Sequence, residues 1–218
     1  MDADNAKISF PVSTTANIIS KNQTLNYYDE NALSFSESTL HVDFTETQQA
    51  FLNCLPSHAQ ILDFGCGAGR DARYFLEQGC KVTAVDGSEA LCKIASEYTG
   101  IPVKQMLFQD LDEIEKYDGI WACASILHLK KTELLGVLVK MRNALKTQGI
   151  IYTSFKYGGC EGIRNGRYFT DFTEELFADF VKDIPGLTIE KAWITGDVRA
   201  GRGDERWINI LLRKVDTP

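Results

Sequence analysis

The chain has 218 residues and a formal net charge of −7 at pH 7, with 30 acidic residues against 23 lysines and arginines. Its 44% of hydrophobic and 24% of charged residues are typical of a globular protein, and the length is that of one domain with a full core. The acidic balance disfavours nucleic acid or an anionic membrane surface as a partner, because binding to phosphate depends on lysine and arginine. No apolar run approaches the roughly 20 residues of a membrane span.

The six cysteines are widely spaced and never form a CxxC pair. They are Cys54, Cys66, Cys80, Cys92, Cys123 and Cys160. Several lie in apolar runs, which favours reduced, buried thiols over disulfides or zinc. The first residues, MDADNAKISF, lack the positive-then-apolar order of a signal peptide. With three isolated histidines and no metal-ligand spacing, the sequence predicts a cytoplasmic protein without a structural metal.

Segments typical of strands and helices alternate along the chain. Strands are predicted at residues 60–64, 81–86, 103–108, 119–125, 149–155, 188–195 and 206–215. Helices are predicted at residues 46–55, 71–79, 88–98, 132–146 and 173–183. Gly149 is a candidate left-handed cap for the helix over residues 132–146.

This alternation predicts an α/β fold with a Rossmann-like, doubly wound, mostly parallel seven-stranded sheet and helices on both of its faces. The last two strands have no helix between them, so we expect them to pair as a terminal antiparallel hairpin. Residues 1–43 precede this pattern and are expected to form a cap or lid. The domain that follows is expected to cover residues 44–218.

The stretch ILDFGCGAGRD, residues 61–71, places three glycines between the first strand and the next helix. Ligands of such sheets bind beyond the carboxyl ends of the strands, at the switch point beside the first strand. A dinucleotide fingerprint would require a third glycine where this sequence has Arg70. Asp63, two residues before Gly65, would repel a pyrophosphate but attract an ammonium or a sulfonium.

Asp86 ends the second predicted strand, 21 residues after Gly65. From that position a carboxylate can accept hydrogen bonds from both hydroxyls of a ribose. The pattern therefore favours a nucleoside that carries a cationic group, and S-adenosylmethionine combines the two. Taken singly, each feature has another explanation: the glycines could form only a tight turn, Asp86 could cap a helix, and Asp110 could belong to a solvated acidic loop.

Together these residues resemble the motifs of the class I S-adenosylmethionine-dependent methyltransferases. LDFGCGAGRD is similar to the first motif of that family, and AVDGS (84–88) is similar to the second. FQDL (108–111) resembles the third motif, YDGIWACASILHL (117–129) the fourth, and ALKTQGIIYTSF (144–155) the helix and fifth strand that follow. The resemblance extends, in order, over about residues 44–213.

A narrower resemblance points to one bacterial branch of this family. YYDENA (27–32), SFKYG (154–158) and NGRYFTDFTEE (165–175) are similar to proteins labelled as tellurite-resistance-type or uncharacterised methyltransferases. This similarity indicates kinship and does not by itself establish a substrate.

The family resemblance implies where S-adenosylmethionine would bind. The backbone of Gly65, Cys66 and Gly67 would lie along its methionine part, with Asp63 orienting the ammonium and Asp86 accepting the ribose hydroxyls. The adenine would contact Gly87, Ser88, Asp110 and Leu111. Ala124, at the end of the fourth strand, would lie beside the sulfonium. Asp71 at the start of the first helix either caps that helix or contacts the cofactor.

Two tyrosines and a histidine are candidates for the acceptor side. His128 follows the fourth strand and is either a general base or a residue with a merely structural hydrogen bond. Tyr28, a second catalytic candidate, and Tyr27, a substrate-binding candidate, either close over the pocket or only pack the N-terminal segment. Cys123 is expected to be a core residue, because methyl transfer requires no catalytic thiol.

The connection over residues 156–172 supplies the remaining substrate-binding candidates, which are Arg164, Arg167 and Tyr168. Its length is unusual for a loop of such a unit, and long loops often carry function. The two arginines either bind an anionic substrate or a carboxylate of the cofactor, or they lie exposed or pair with Asp171 and Glu174.

The sequence thus predicts a methyltransferase that transfers a methyl group from S-adenosylmethionine to a small-molecule acceptor by in-line displacement, leaving S-adenosylhomocysteine. ACAS stands where amino methyltransferases of adenine or glutamine carry an Asn or Asp before Pro-Pro, which disfavours those acceptors. Two alternatives stay open: an RNA or protein methyltransferase with a basic face, and a catalytically silent S-adenosylmethionine-binding protein. The sequence carries no signal for the oligomeric state.

Overall fold

Seven of the strands form the sheet that carries the candidate site. The computed structural model describes residues 23–199 and 201–216. Within them the strands are Gln60–Phe64 (β1), Lys81–Asp86 (β2), Val103–Gln105 (β3), Tyr117–Ala122 (β4), Leu145–Lys156 (β5), Glu161–Arg164 (β6), Arg167–Thr170 (β7), Leu187–Gly196 (β8) and Arg206–Lys214 (β9).

Helices cover both faces of this sheet. They are residues 23–30 (α1), Ala32–Thr39 (α2), Thr45–Leu52 (α3), Arg70–Glu77 (α4), Glu89–Thr99 (α5), Lys131–Ala144 (α6) and Glu174–Val181 (α7). Of the helices in the described part of the chain, none is long and apolar enough to span a membrane.

The sheet has the strand order β3-β2-β1-β4-β5-β9-β8. Strands β1 to β5 run parallel to one another, whereas β9 runs antiparallel to both β5 and β8. The predicted fold class is confirmed, including the terminal antiparallel hairpin. The strand order reverses between β1 and β4, and this switch point is where a parallel sheet of this kind binds its ligands.

The alternation of side chains in β1 gives the molecule two apolar layers. Leu62 packs in a core cluster that contains the inner faces of α6 and α7. Ile61 points the other way, into a cluster with Phe51 of α3 and Phe75 of α4. The same alternation puts Asp63 on the α4 side of the sheet, where it is buried.

Two predicted strands end earlier in the structure than expected. The third strand ends at Gln105, because Phe108–Asp110 form a turn of 3₁₀ helix. The fourth strand ends at Ala122, and two residues later Ala124 takes a left-handed backbone conformation with φ of +48°. Both departures lie at the carboxyl edge of the sheet, where the backbone leaves the strand to form the candidate site.

The predicted long connection over residues 156–172 contains a two-stranded hairpin, β6–β7. Asn165 and Gly166 form its turn and both have positive φ, +48° and +78°. An Asn-Gly pair is the strongest short-range signal for such a turn, because both residues tolerate the left-handed region. The prediction of an irregular loop missed this signal.

The prediction that Gly149 caps the preceding helix is wrong. Helix α6 ends at Ala144 and the chain passes directly into β5, which contains Gly149. The register of β4 and β5 shifts between Tyr117 and Gly119, so the extra residues of β5 bulge out there. A Cβ atom at Gly149 would lie 2.9 Å from the carbonyl oxygen of Lys146, and this crowding explains the glycine.

The N-terminal segment packs on the carboxyl edge of the sheet. Residues 1–22 of the predicted cap lie outside the described residues, so the division at residue 43 stays a prediction. Within the described part, Asp29 of α1 accepts hydrogen bonds from the hydroxyl of Ser88, at 2.5 Å, and from the backbone of Ala90, at 3.2 Å. Phe35 of α2 covers Gly67. Helices α1 and α2 therefore lie over the switch point.

A buried carboxylate, Asp71, joins three elements behind this edge. It accepts hydrogen bonds from Nε2 of Gln48 on α3 at 2.7 Å and from Nε1 of Trp121 on β4 at 2.8 Å. Arg70 donates to both of its oxygens, at 2.8 and 2.9 Å. Burial alone would raise the pKa of Asp71, but Arg70 and the other donors lower it overall. The sequence suggested either a helix cap or a cofactor contact for Asp71. The structure adds a third role, because Asp71 is the centre of a buried hydrogen-bond network.

We expect Asp71→Ala to lower the free energy of unfolding by about 3 kcal/mol, because it leaves the buried guanidinium and indole donors without their acceptor. Urea denaturation followed by tryptophan fluorescence measures the change. Asp112→Ala, which removes a carboxylate from an exposed loop, is the control and should change stability by less than about 0.5 kcal/mol. Equal stability of the two variants would contradict a structural role for Asp71.

Candidate cofactor and acceptor site

A cavity of about 230 Å³ lies at the carboxyl ends of the central parallel strands. Several connections of the sheet and the helices α1 and α2 contribute to its walls. These walls include Gly65, Cys66 and Gly67 after β1, Asp86 and Gly87 after β2, Ala124 and Ser125 after β4, and Tyr28 and Phe35 of α1 and α2. The cavity therefore occupies the place that the strand order predicts for a ligand.

The glycine loop after β1 presents bare backbone to this cavity. Gly65 has a φ of +85°, and a Cβ atom there would lie 2.4 Å from Cβ of Ser125. Gly67 has a φ of +56°, and a Cβ atom there would lie 3.2 Å from the ring of Phe35. Side chains are excluded at both positions by conformation and by space. A ligand can therefore approach the backbone of this loop closely.

Asp86 at the end of β2 is held by the backbone around it. Its carboxylate accepts hydrogen bonds from the N–H groups of Gly67 and Ser88, both at 2.9 Å. Burial raises the pKa of Asp86 to about 6, although these backbone donors act in the opposite direction. The N-cap of α5 is Ser88, whose hydroxyl accepts from the backbone of Leu91 at 3.1 Å. Asp86 is therefore not the cap and faces the cavity.

Asp63 lies behind the glycine loop and is almost completely buried. Within the described residues, its Oδ2 atom has no hydrogen-bond partner. Burial, and after it the nearby carboxylate of Asp71, raises the pKa of Asp63 well above its usual range. An unsatisfied buried oxygen is costly, and because Asp63 does not itself line the cavity, a cationic donor of a ligand would reach it through water.

The wall on the β3 side is made by Leu107, Phe108 and Gln109. The predicted adenine contacts Asp110 and Leu111 follow directly after them and do not line the cavity, because the 3₁₀ turn buries Leu111 in the core beside α6. A role of Asp110 and Leu111 in cofactor binding stays a prediction.

Tyr28 and His128 form a hydrogen-bonded pair in the cavity wall. The Tyr28 hydroxyl lies 2.7 Å from Nε2 of His128, and Nδ1 of His128 lies 2.6 Å from the carbonyl oxygen of Tyr168. A carbonyl oxygen only accepts, so Nδ1 carries the proton and Nε2 accepts from Tyr28. Burial lowers the pKa of His128 to about 4, so the imidazole is neutral at physiological pH.

The two arginines of the β6–β7 hairpin have different environments. Arg164 pairs with Asp171, as one of the predicted alternatives stated, and lies outside the cavity wall. Arg167 lines the cavity, with its guanidinium 4.4 Å from the ring centre of Tyr27 and one nitrogen 3.4 Å from the hydroxyl of Tyr28. The structure therefore brings Arg167, but not Arg164, to Tyr28 and His128.

Three other predicted residues surround the cavity without lining it. Tyr27 lies beneath the Arg167 guanidinium, and Ser88 is buried at the start of α5. Tyr168 donates its hydroxyl to Glu161 at 2.8 Å. Their side chains support the wall from outside.

The far wall of the cavity was missed by sequence reasoning. It includes Lys156 at the end of β5, Trp207 and Asn209 on β9, and Arg199 and Arg202 in the connection between β8 and β9. Lys156 and Trp207 are direct partners in the antiparallel pairing of β5 with β9. The predicted hairpin indicated that β9 lies near the sheet, but no local pattern showed that it pairs with β5.

Cys123, which was expected in the core, lines the cavity beside Arg70, whose Nη2 lies 3.8 Å from the sulfur. Burial raises the pKa of the Cys123 thiol to about 12. The thiol is therefore protonated at physiological pH and a poor nucleophile, which agrees with the expectation that it has no catalytic role.

Comparison with known proteins shows similarity to methyltransferases. Residues 61–149 match the family model described as a methyltransferase domain. The Bacillus subtilis protein YqeM, whose name marks it provisionally as a methyltransferase, is 27% identical over 169 residues. That match covers 72% of this chain, and the chain spans only 64% of the length of YqeM.

Solved structures share the fold at lower identity. The 1,6-didemethyltoxoflavin-N1-methyltransferase of Burkholderia thailandensis, solved with 1,6-didemethyltoxoflavin and S-adenosylhomocysteine, superposes with a TM-score of 0.74 at 19% identity, over 97% of this chain and 95% of that chain. The [4+2]-cyclase SpnF superposes with a TM-score of 0.66 at 14% identity, over 94% and 98%. The fold and the glycine loop agree with the match over residues 61–149, which shows that this part of the chain is similar to methyltransferase domains.

Proposed function

We propose that the protein transfers a methyl group from S-adenosylmethionine to a small-molecule acceptor and releases S-adenosylhomocysteine. The observation that carries the proposal is one continuous cavity. It joins the glycine loop and Asp86 on one side to the Tyr28–His128 pair on the other. A nucleoside-binding carboxylate and a proton-accepting pair in the same space are what a methyl transfer between two bound molecules needs.

The residues around the glycine loop fit S-adenosylmethionine, which supplies an electrophilic methyl group on a sulfonium. Gly65, Cys66 and Gly67 would hold its methionine part against bare backbone, and Asp86 would accept the ribose hydroxyls. The orphaned oxygen of Asp63 would contact the ammonium through water. Gly87, Leu107, Phe108 and Gln109 would enclose the adenine, with Ser88, Asp110 and Leu111 behind them, and Ala124 would lie beside the sulfonium.

On the acceptor side, the oxygen of Tyr28 would accept a hydrogen bond from an O–H or N–H group of the acceptor, because its own proton is directed at His128. Bound S-adenosylmethionine would supply the methyl group: a bond to the acceptor atom would form as the carbon–sulfur bond breaks and its electron pair stays on sulfur. Tyr28 would take the proton of the acceptor and give its own proton to Nε2 of His128. With a pKa of about 4, His128 is a weak base, so the pair contributes chiefly by orienting the acceptor.

A small acceptor is favoured over RNA or protein because the cavity is partly covered. Helices α1 and α2 place Tyr28 and Phe35 in its wall. The relative solved with 1,6-didemethyltoxoflavin acts on a small heterocycle, in agreement with this choice. Binding to mixed tRNA that weakens steeply with salt would favour the RNA alternative instead.

SpnF supports retaining the alternative of a protein that binds the cofactor without methyl transfer. Its name describes a cyclase, although it shares the fold over almost its whole length. Fold alone therefore does not establish the reaction. The Tyr28–His128 pair beside the expected methyl position favours the methyltransferase.

Finer features of the proposal rest on the sequence. The similarity to the tellurite-resistance branch adds a chalcogen oxyanion to the acceptors worth testing. The scattered thiols, which are free in the structure, support a cytoplasmic location. Residues 1–43 as a lid on a domain over residues 44–218 agree with the position of α1 and α2 over the cavity.

The proposal is tested by incubating the protein with methyl-labelled S-adenosylmethionine and a bacterial extract separated into metabolite, RNA and protein fractions. Label in the metabolite fraction is expected, with tellurite and selenite as separate additions. Label confined to RNA or protein would establish the second alternative. Cofactor binding without label in any fraction would establish the third.

We expect Asp86→Ala to weaken S-adenosylhomocysteine binding by about 1.5–3 kcal/mol, the cost of losing charge-assisted hydrogen bonds to a diol. Isothermal titration calorimetry measures the change. Asp112→Ala is again the control, and its affinity should equal that of the wild type. Unchanged affinity of Asp86→Ala would exclude a ribose contact by Asp86.

The pKa of Asp86 also predicts a pH dependence. Because this pKa is raised to about 6, the ionised carboxylate destabilises the folded protein above pH 6, and this cost disappears as the pH falls. Ligand binding has the opposite sign, since the ribose hydroxyls need the ionised form. We expect affinity for S-adenosylhomocysteine to fall about tenfold from pH 7 to pH 5. Asp86→Asn should bind more weakly at pH 7 and show no such dependence; a dependence that persists would point to Asp63.

Tyr28→Phe tests the proposed pair. It keeps the ring but removes the oxygen that would orient the acceptor, so kcat should fall about 100-fold on the acceptor found in the labelled fraction. Tyr98→Phe, an exposed tyrosine on α5, is the matched control. The kcat of the wild type should stay flat between pH 5.5 and 8, because His128 titrates near 4. A wild-type inflection near pH 6.5, or full activity of Tyr28→Phe, would contradict this role.

A further inference from the structure

Arg167 is a cavity-lining cation without a carboxylate partner among the described residues. Its guanidinium lies 4.4 Å from the ring centre of Tyr27 and 5.1 Å from that of Phe169. Its Nε atom is buried and has no hydrogen-bond partner in the described chain. Among the described residues it donates one hydrogen bond, at 3.4 Å, to the neutral hydroxyl of Tyr28.

Each of the other cations of the same cavity has a carboxylate near it, although Lys156 and Arg202 share one. Arg70 pairs with Asp71 at 2.8 Å, and Arg199 pairs with Asp197. Lys156 pairs with Glu205, which Arg202 also approaches at 3.9 Å. Because a partly buried guanidinium pays a desolvation cost that an opposite charge offsets, Arg167 stands out as the position where a ligand would supply that charge.

Arg167 also lies on the side of the cavity where an acceptor would sit. Strand β7, which carries it, packs against the turn Ile126–His128 that follows β4. The glycine loop, which would hold the methionine part of the cofactor, follows β1 instead. An anion on Arg167 would therefore lie next to Tyr28 and His128, at the reacting end of the cavity.

We propose that the methyl acceptor is a small carboxylic acid whose carboxylate binds the guanidinium of Arg167, which sets the nucleophilic atom against Tyr28. This inference rests on the proposed function and adds the chemical class of its substrate. A carboxylate carries one negative charge and matches the fork of a guanidinium, and one uncompensated cation suits a monoanion better than a phosphate. The aromatic rings of Phe35, Phe44 and Phe169 in the cavity wall favour a planar acid.

The test measures binding to protein saturated with S-adenosylhomocysteine, using benzoate, its neutral isostere benzamide, and phenyl phosphate as probes in calorimetry. Wild-type protein should bind benzoate at least tenfold more tightly than benzamide, and more tightly than phenyl phosphate. Arg167→Gln should remove the preference for the acid, and Arg167→Lys should keep part of it because the charge remains without the fork.

Two controls remove the same charge elsewhere. Arg202→Gln removes a cavity cation that has a carboxylate near it, and Arg73→Gln removes an exposed arginine of α4 that pairs with Glu77. Both should keep the acid preference. Melting temperatures of all variants confirm that each is folded before binding is compared.

The inference is overturned if wild-type protein does not bind benzoate or binds benzoate and benzamide equally. It is also overturned if Arg202→Gln loses the acid preference as Arg167→Gln does, or if Arg167→Gln keeps it.

Another result would assign Arg167 to the cofactor. If Arg167→Gln weakens S-adenosylhomocysteine tenfold but leaves 5′-methylthioadenosine unchanged, the guanidinium binds the carboxylate of the cofactor instead. Failure of wild-type protein to bind S-adenosylhomocysteine at all would contradict the proposed function itself, which is a separate outcome.

Discussion

The site depends on the hydrogen bonds and the ion pair that the carboxylate of Asp71 forms. It binds α3 through Gln48, α4 through Arg70 and β4 through Trp121, so three elements meet at one buried charge. Trp121 in turn stacks on Tyr152 at a ring-centre distance of 3.9 Å in the middle of the second apolar layer. The glycine loop is thereby held between a rigid core and the first turn of α4.

This arrangement explains the electrostatics of the cavity. Behind the glycine loop, the carboxylates of Asp71 and Asp86 lie close enough to raise the pKa of Asp63, and the guanidinium of Arg70 lowers it. Burial is the largest cause of the raised pKa values of Asp63 and Asp86, and the Asp71 carboxylate raises that of Asp63 further. Two carboxyl groups that gain from a hydrogen-bonding cationic nucleoside are thus built into the fold before any ligand binds. Ligand binding would offset the free-energy cost of burying these two carboxyl groups.

The opposite wall depends on the N-terminal helices. Tyr28 is bonded to His128 across 100 residues of sequence, and Asp29 is bonded to Ser88 at the start of α5. The proposed acceptor site therefore exists only while α1 lies on the sheet. The same helices form part of the cavity wall, so their position contributes to the size of the acceptor that the proposed site would accommodate.

The local sequence pattern was sufficient to predict the strands β1 and β2 and the glycine loop between β1 and α4. β1 and β2 have the predicted bounds, and the glycine loop and Asp86 face a common cavity, because an apolar run, a tight turn and a helix follow each other within a few residues. The β6–β7 hairpin could also have been predicted from the Asn165-Gly166 pair but was overlooked.

The far wall could not be predicted, because Lys156 and Trp207 meet through the antiparallel return of β9, a contact between residues about 50 positions apart in the sequence. Likewise, no sequence signal distinguished Arg167 in the cavity from Arg164 outside it, since both lie in the same short hairpin and only its packing separates them.

The central claim is that the glycine loop and Asp86 hold a nucleoside with a cationic group rather than a dinucleotide. It is tested most directly by isothermal titration of the wild-type protein with S-adenosylmethionine, S-adenosylhomocysteine and NADH in parallel. Micromolar affinity for both adenosyl ligands, with no heat from NADH, is the predicted result. Binding of NADH alone would contradict it and would mean that the loop, despite Arg70 in place of a third glycine, accommodates a pyrophosphate.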